Sequence, residues 1–146
     1  MSLRKQFKTD TTKETQGVFV TLATNLDGTE TKFLLARSGG QNKRFSETLK
    51  KEAMPLKQQF KSGTVSEAVA ERLNKRVFCA SVLLGWENVL KSDVTNNDAD
   101  TGYIEYSEAN ALQLIENLPD LYEELSAFAS DINNFKAVEE PVTLKA

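Results

Sequence analysis

Two short apolar-rich stretches lie near the start of the chain, Gly17-Val18-Phe19-Val20-Thr21-Leu22 and Thr31-Lys32-Phe33-Leu34-Leu35-Ala36. Both are rich in β-branched and aromatic side chains, and Asn25-Leu26-Asp27-Gly28 between them supplies turn residues, so the pair predicts a β-hairpin. Two strands alone are marginal in water; the hairpin must lay a face on helices or pair with another chain. From residue 43 the apolar spacing lengthens to three and four. Phe45, Leu49 and Ala53 form one stripe of a helix over residues 43–54, which Pro55 breaks before a short piece reaching Phe60. Thr64-Val65-Ser66-Glu67 has the capping-box pattern and predicts the longest helix, running to about residue 89. Its first half is amphipathic, with Val65, Val69, Leu73 and Val77 inward. Residues 77–86 are apolar nearly all round, which predicts a central helix whose core members are Val77, Phe78, Val82, Leu83 and Trp86.

Residues 91–102 read as a polar connection and residues 103–106 as a short extended piece. Ser107 then caps a helix through Asn117 carrying Leu112 and Ile115, and Pro119 starts a last helix with Leu121, Leu125 and Phe128, ending near Phe135. The pattern as a whole predicts an α+β fold, mainly α-helical with an N-terminal β-hairpin. One domain spans residues 16–135, between a flexible arm at 1–15 and a loose tail at 136–146.

A chain of 146 residues has surface and volume for one core. No run of about 18 apolar residues is present and residues 1–10 hold no apolar block of the secretory kind, so no membrane partner is expected and the location is the cytoplasm. Histidine is absent and there is one cysteine, Cys79. Histidine-based nucleophilic triads and cysteine- or histidine-based zinc sites are thereby excluded. In an EF-hand register from Asp93, Asp98 stands where glycine is needed and Ile104 where glutamate is needed, so the acidic loop holds no calcium motif. Ser38-Gly39-Gly40 lacks phosphate-loop spacing and reads as a turn. The adjacent carboxylates Glu123-Glu124 and Glu139-Glu140 do not face one another across a cleft. The expectation is a protein that is not an enzyme and takes no cofactor or metal.

Charge divides the chain into two unlike halves. Through Arg76 there are 15 lysines and arginines against 8 acidic residues, and after it 3 against 13, so the two halves carry about +7 and −10. Such polarity suits head-to-tail association of identical copies, in a ring or spiral that weakens with salt. The expected partner-binding residues are Leu112, Ile115, Leu121, Leu125 and Phe128 with Glu123 and Glu124 on the C-terminal helices, against Lys50, Lys51 and Lys57 on the basic side. A basic half carrying Phe45 and Phe60 also leaves a second reading, a small nucleic-acid-binding regulator, although no nucleic-acid-binding motif is present.

The order Ala36-Arg37-Ser38-Gly39-Gly40-Gln41-Asn42-Lys43-Arg44-Phe45, Pro55, Leu84-Gly85-Trp86-Glu87-Asn88-Val89, Tyr106-Ser107-Glu108-Ala109-Asn110-Ala111, Leu118-Pro119-Asp120-Leu121 and Asn134-Phe135 resembles the tail assembly chaperones of long-tailed bacteriophages of the siphovirus type. The likeness covers about residues 16–135. It implies a mostly helical protein that binds the tape measure protein, keeps it soluble and helps recruit tail tube protein during virion morphogenesis. It further implies a host-cytoplasmic location and absence from the mature virion. The family commonly makes a second, longer product by frameshifting, and the polar residues 141–146 fit the shorter one.

Overall fold

The computed structural model describes residues 2–137, and residues 138–146, with the Glu139-Glu140 pair and most of the expected tail, lie outside the described residues. The hairpin forms where the β-branched and aromatic residues and the turn predict it: Val18–Thr24 (β1) runs antiparallel to Glu30–Leu35 (β2), and the turn is closed by Asn25 and Thr29. Phe33 and Leu35 of β2 point into the core while Phe19 of β1 points out and is exposed. A third strand, Leu83–Glu87 (β3), pairs with the other edge of β2, giving the order β1-β2-β3. The fold is therefore α+β.

That third strand corrects the long central helix expected through residue 89. The helix there, Glu67–Ser81, ends at Ser81, and the apolar run continues as a strand. The reason lies in a bulge. Leu34 pairs with Gly85 and Leu35 with Leu83, which leaves Leu84 as an extra residue. In a regular strand Leu83 and Trp86 would fall on opposite faces, but the bulge lets both pack inward. The resulting inward spacing of three mimics a helix. Gly85 faces Leu34 at ordinary van der Waals distance, so no close approach demands a glycine there.

In chain order the helices are Leu3–Phe7 (α1), Thr11–Gln16 (α2), Lys43–Ala53 (α3), Lys57–Ser62 (α4), Glu67–Ser81 (α5), Lys91–Thr95 (α6), Glu108–Asn117 (α7) and Pro119–Ser130 (α8). A 3-10 turn at Met54–Leu56 holds Pro55 between α3 and α4, where the missing amide donor is not needed. Helix α5 is capped by Ser66, whose hydroxyl accepts from the Val69 amide. The capping box expected at Thr64 does not form, and Thr64 bonds the Ser62 hydroxyl instead. Ser107 caps α7 as its position predicts, accepting from the Asn110 amide. Helix α8 stops at Ser130, five residues short of the expected end, and a 3-10 turn at Ile132–Phe135 follows.

The core is one cluster joining Phe33 and Leu35 of β2, Phe78 and Cys79 of α5, Val82 and Leu83, Leu114 and Ile115 of α7, and Leu125 and Ala129 of α8. Val77 is buried beside it, and Trp86 packs on its edge while remaining partly exposed. The sheet thus covers one side of a helical layer formed by α5, α7 and α8.

The flexible arm expected at residues 1–15 instead carries, among its described residues, the two short helices α1 and α2. Asp10 caps α2 through the Thr12 and Lys13 amides, and the Asp10 amide donates to the Phe135 carbonyl. Beside it the Ala137 amide donates to Lys8 and Thr9 bridges Lys136, so residues 136 and 137 are docked. Glu14 on α2 is fully buried, 2.8 Å from the Arg37 guanidinium and 2.8 Å from the Gln41 amide. Gly40 makes this possible: with φ +54, its hydrogen lies where a Cβ would come within 2.6 Å of Arg37 Nη1. Polarity hid this anchoring from the sequence, because a buried glutamate reads as a surface one.

Candidate protein-binding site

An opening with an apolar lining lies between β1 and the corner where α7 meets α8. Two local devices expose apolar side chains there. In β1 the register slips between Thr21 and Ala23, making Leu22 an extra residue, so Leu22 and Ala23 both reach the same groove. At the helix corner Leu118 occupies the position before Pro119, where the backbone is forced out of helical geometry, and its side chain is 41% exposed. The groove has a volume of about 550 Å³, and Phe33, Val89 and Leu114 form its floor. Its rim is acidic. Asp93, Asp120 and Glu124 line it, and among the described residues the lining includes no lysine or arginine. Asp120 sits in the first turn of α8, where the helix dipole favours a negative charge.

The walls are held by hydrogen bonds. Asn117 Nδ2 donates to the carbonyls of Asp93 (3.0 Å) and Val94 (2.8 Å), fixing α6 against α7. Asn25 Nδ2 donates to Thr29, Thr31 and the Asn88 carbonyl, and Thr31 Oγ1 donates to that same carbonyl at 2.8 Å. Asn88 takes a left-handed conformation (φ 58) and returns a bond from Nδ2 to the Glu30 carbonyl, which joins β3 to the hairpin. At the hairpin tip Tyr103 donates to Asp27, whose carboxyl is lowered to about 2 by bonds from Thr29 and Tyr103. A groove with fixed walls loses little freedom when filled.

The expected partner-binding residues are distributed differently. Leu121 and Glu124 line the groove. Ile115 and Leu125 are 0% and 1% exposed and belong to the core. Phe128 packs edge-on against Phe135 with ring centroids 6.2 Å apart. Leu112 faces a separate cleft of about 400 Å³ between α3, α5 and α7, whose walls include Lys51 and the Arg76–Glu52 ion pair. Glu123, Lys50 and Lys57 are exposed and line neither opening. Reasoning from the pattern missed Leu22, Leu90, Asp93, Leu118 and Asp120. Leu118 carried a legible signal, a large apolar residue directly before a helix-starting proline.

Reactive groups are scarce. Cys79 is buried and burial pushes its thiol up to about 12, with Glu108 and Glu116 adding to the effect, so it is held as a thiol. Burial likewise raises Tyr106 to about 12, and its hydroxyl donates to the Leu83 carbonyl at 2.5 Å. Among the described residues no group of three acidic or cysteine side chains converges on a common point, and no helix is long and apolar enough to cross a membrane. Millimolar calcium or zinc is therefore expected to leave the thermal midpoint unchanged; a saturable rise in differential scanning fluorimetry would show a site that these residues do not form.

Residues 40–146 match the family described as YdaY prophage protein. The chain belongs to that family. Its phage origin follows, and the matched region runs from α3 onward, taking in Leu118, Leu121 and the three acidic rim residues but not the strands that complete the groove. No curated protein and no solved structure matches the chain.

Proposed function

We propose that this phage-derived protein is a tail assembly chaperone, a non-enzymatic protein of the host cytoplasm. In this reading it binds the tape measure protein, keeps it soluble, helps recruit tail tube protein and is absent from the mature virion. The observation that carries the reading is the acidic-rimmed apolar groove built by Leu22, Leu118 and Leu121. A long helical client exposes apolar stripes that aggregate, and a preformed groove accepts such a stripe through side chains spaced three and four apart. Three carboxylates on the rim favour a client helix whose flanks are basic. The resemblance of the motif order to that of siphovirus tail assembly chaperones supports the same role.

Co-expression with the tape measure protein of the same prophage tests it. The wild-type chain is expected to move the client into the soluble fraction, and Leu118→Asp is expected to reduce recovery of the complex at least about tenfold, since it places a charge on the apolar wall. A client that stays insoluble with the wild-type chain would overturn the proposal. The exposed lysines of α3 and α4 beside the 45%-exposed Phe60 support the second reading, a nucleic-acid-binding regulator. Firm retention on heparin without client capture would favour it.

A further inference from the structure

Helix α1 stands outside the core, and none of its residues is buried. Leu3 and Phe7 are four apart, on one face of the helix, and are 74% and 60% exposed. Arg4, Lys5 and Lys8 surround that apolar pair. The helix is not a loose end: Ser2 caps it, and immediately after it the Lys8 carbonyl accepts from Ala137, Thr9 bridges Lys136 and Asp10 bonds Phe135. The clip presents a short basic amphipathic helix from a fixed base.

The groove beside α8 has the opposite character, apolar within and rimmed by Asp93, Asp120 and Glu124. No residue of α1 lines the groove of its own chain. We propose that the groove receives α1 of a second copy, with Leu3 and Phe7 as anchors between Leu22, Leu118 and Leu121 and the three basic residues facing the three rim carboxylates. This rests on the reading of the groove as a helix-binding site. Arm and groove are different surfaces, so the contact is heterologous and can repeat from copy to copy. A neighbour's arm keeps the groove covered until a client segment of the same chemistry displaces it. This joint is distinct from the pairing of Lys50 and Lys51 with Glu123 and Glu124 that the charge split alone suggests.

Sedimentation velocity of the full chain across concentration and salt tests the proposal. The wild-type chain is expected to associate at low salt and to lose at least about tenfold in association constant by 0.5 M salt, where exposed charges are screened within a few ångströms. The double variant Leu3→Asp, Phe7→Asp should be monomeric with an unchanged thermal midpoint, because neither side chain is buried. Leu118→Asp should also be monomeric, and Asp120→Lys with Glu124→Lys, both on exposed side chains, replaces it if Leu118→Asp fails to fold. An equimolar mixture of arm and groove variants retains one intact arm and one intact groove, and should give a heterodimer and nothing larger. A monomeric wild-type chain at every concentration, an arm variant that associates like the wild type, or a mixture without heterodimer would overturn the proposal. Loss of association in Lys50→Glu, Lys51→Glu with the arm variant still associating would overturn it too, placing the joint on α3. The arm variant should capture the tape measure protein as well as the wild type does. Self-association without client capture would sink the proposed function and leave this inference standing, and capture without self-association would do the reverse.

Discussion

Trp86→Ala is expected to lower stability by about 3 kcal/mol, and urea melts at neutral pH measure it. The indole lies at the meeting of three elements: its ring is edge-on to Phe33 of β2 and to Tyr106, with centroids 6.2 and 5.2 Å away, and Nε1 donates to the Ile104 carbonyl at 2.9 Å. Truncation removes both ring contacts and leaves that carbonyl unpaired. The partial exposure of Trp86 places the loss at the lower end of what a fully buried aromatic gives. Trp86→Phe should retain most of the ring packing and lose about 1 kcal/mol with the hydrogen bond. A loss below about 1 kcal/mol for the alanine variant would mean that β3 is held by its backbone ladder alone.

Glu14→Ala is expected to cost about 3 kcal/mol, because it strands the inward-facing Arg37 guanidinium and the Gln41 amide. The site also makes stability depend on pH. Burial raises the Glu14 carboxyl, but bonds from Thr9, Arg37 and the Gln41 amide outweigh burial and hold it below its ordinary value of 4.5. A carboxyl lowered by folding stabilises fully above its unfolded value, and that contribution disappears as pH falls through the folded value. Melts repeated between about pH 6 and pH 3 should therefore show a steeper loss for the wild type than for Glu14→Gln. Parallel slopes would show that Glu14 titrates alike in the folded and unfolded chain.

Local chemistry made much of this architecture legible. The hairpin, the cap at Ser107 and the break at Pro55 depend on neighbours in sequence, and each occurs where the residues predict it. The third strand does not. Its pairing with β2 joins residues about 50 apart, and the bulge at Leu84 turns its inward spacing into that of a helix. The groove was half legible for a related reason. Leu121 and Glu124 follow the period of α8, whereas Leu22 and Leu118 are exposed by a slipped register and a helix corner, irregularities that periodicity averages away. The same averaging assigned Ile115 and Leu125 to a binding stripe, although a helix between a sheet and other helices hides the side chains that look most amphipathic.

The clip joining Lys8, Thr9 and Asp10 to Phe135, Lys136 and Ala137 sets when this domain can be completed during synthesis. Helix α2 leaves the ribosome well before its partner, because the carbonyl of Phe135 that accepts from its capping residue is made more than a hundred residues later. Until then the Asp10 amide has only water for a partner, and the entropic cost of closing this long loop is still to be met. The hairpin and the helices between can assemble while translation continues, because they draw on residues already made. Seating α1 and α2 is thus a late step, and a nascent chain stalled before residue 135 would present them to solvent untethered to the turn at residues 132–135.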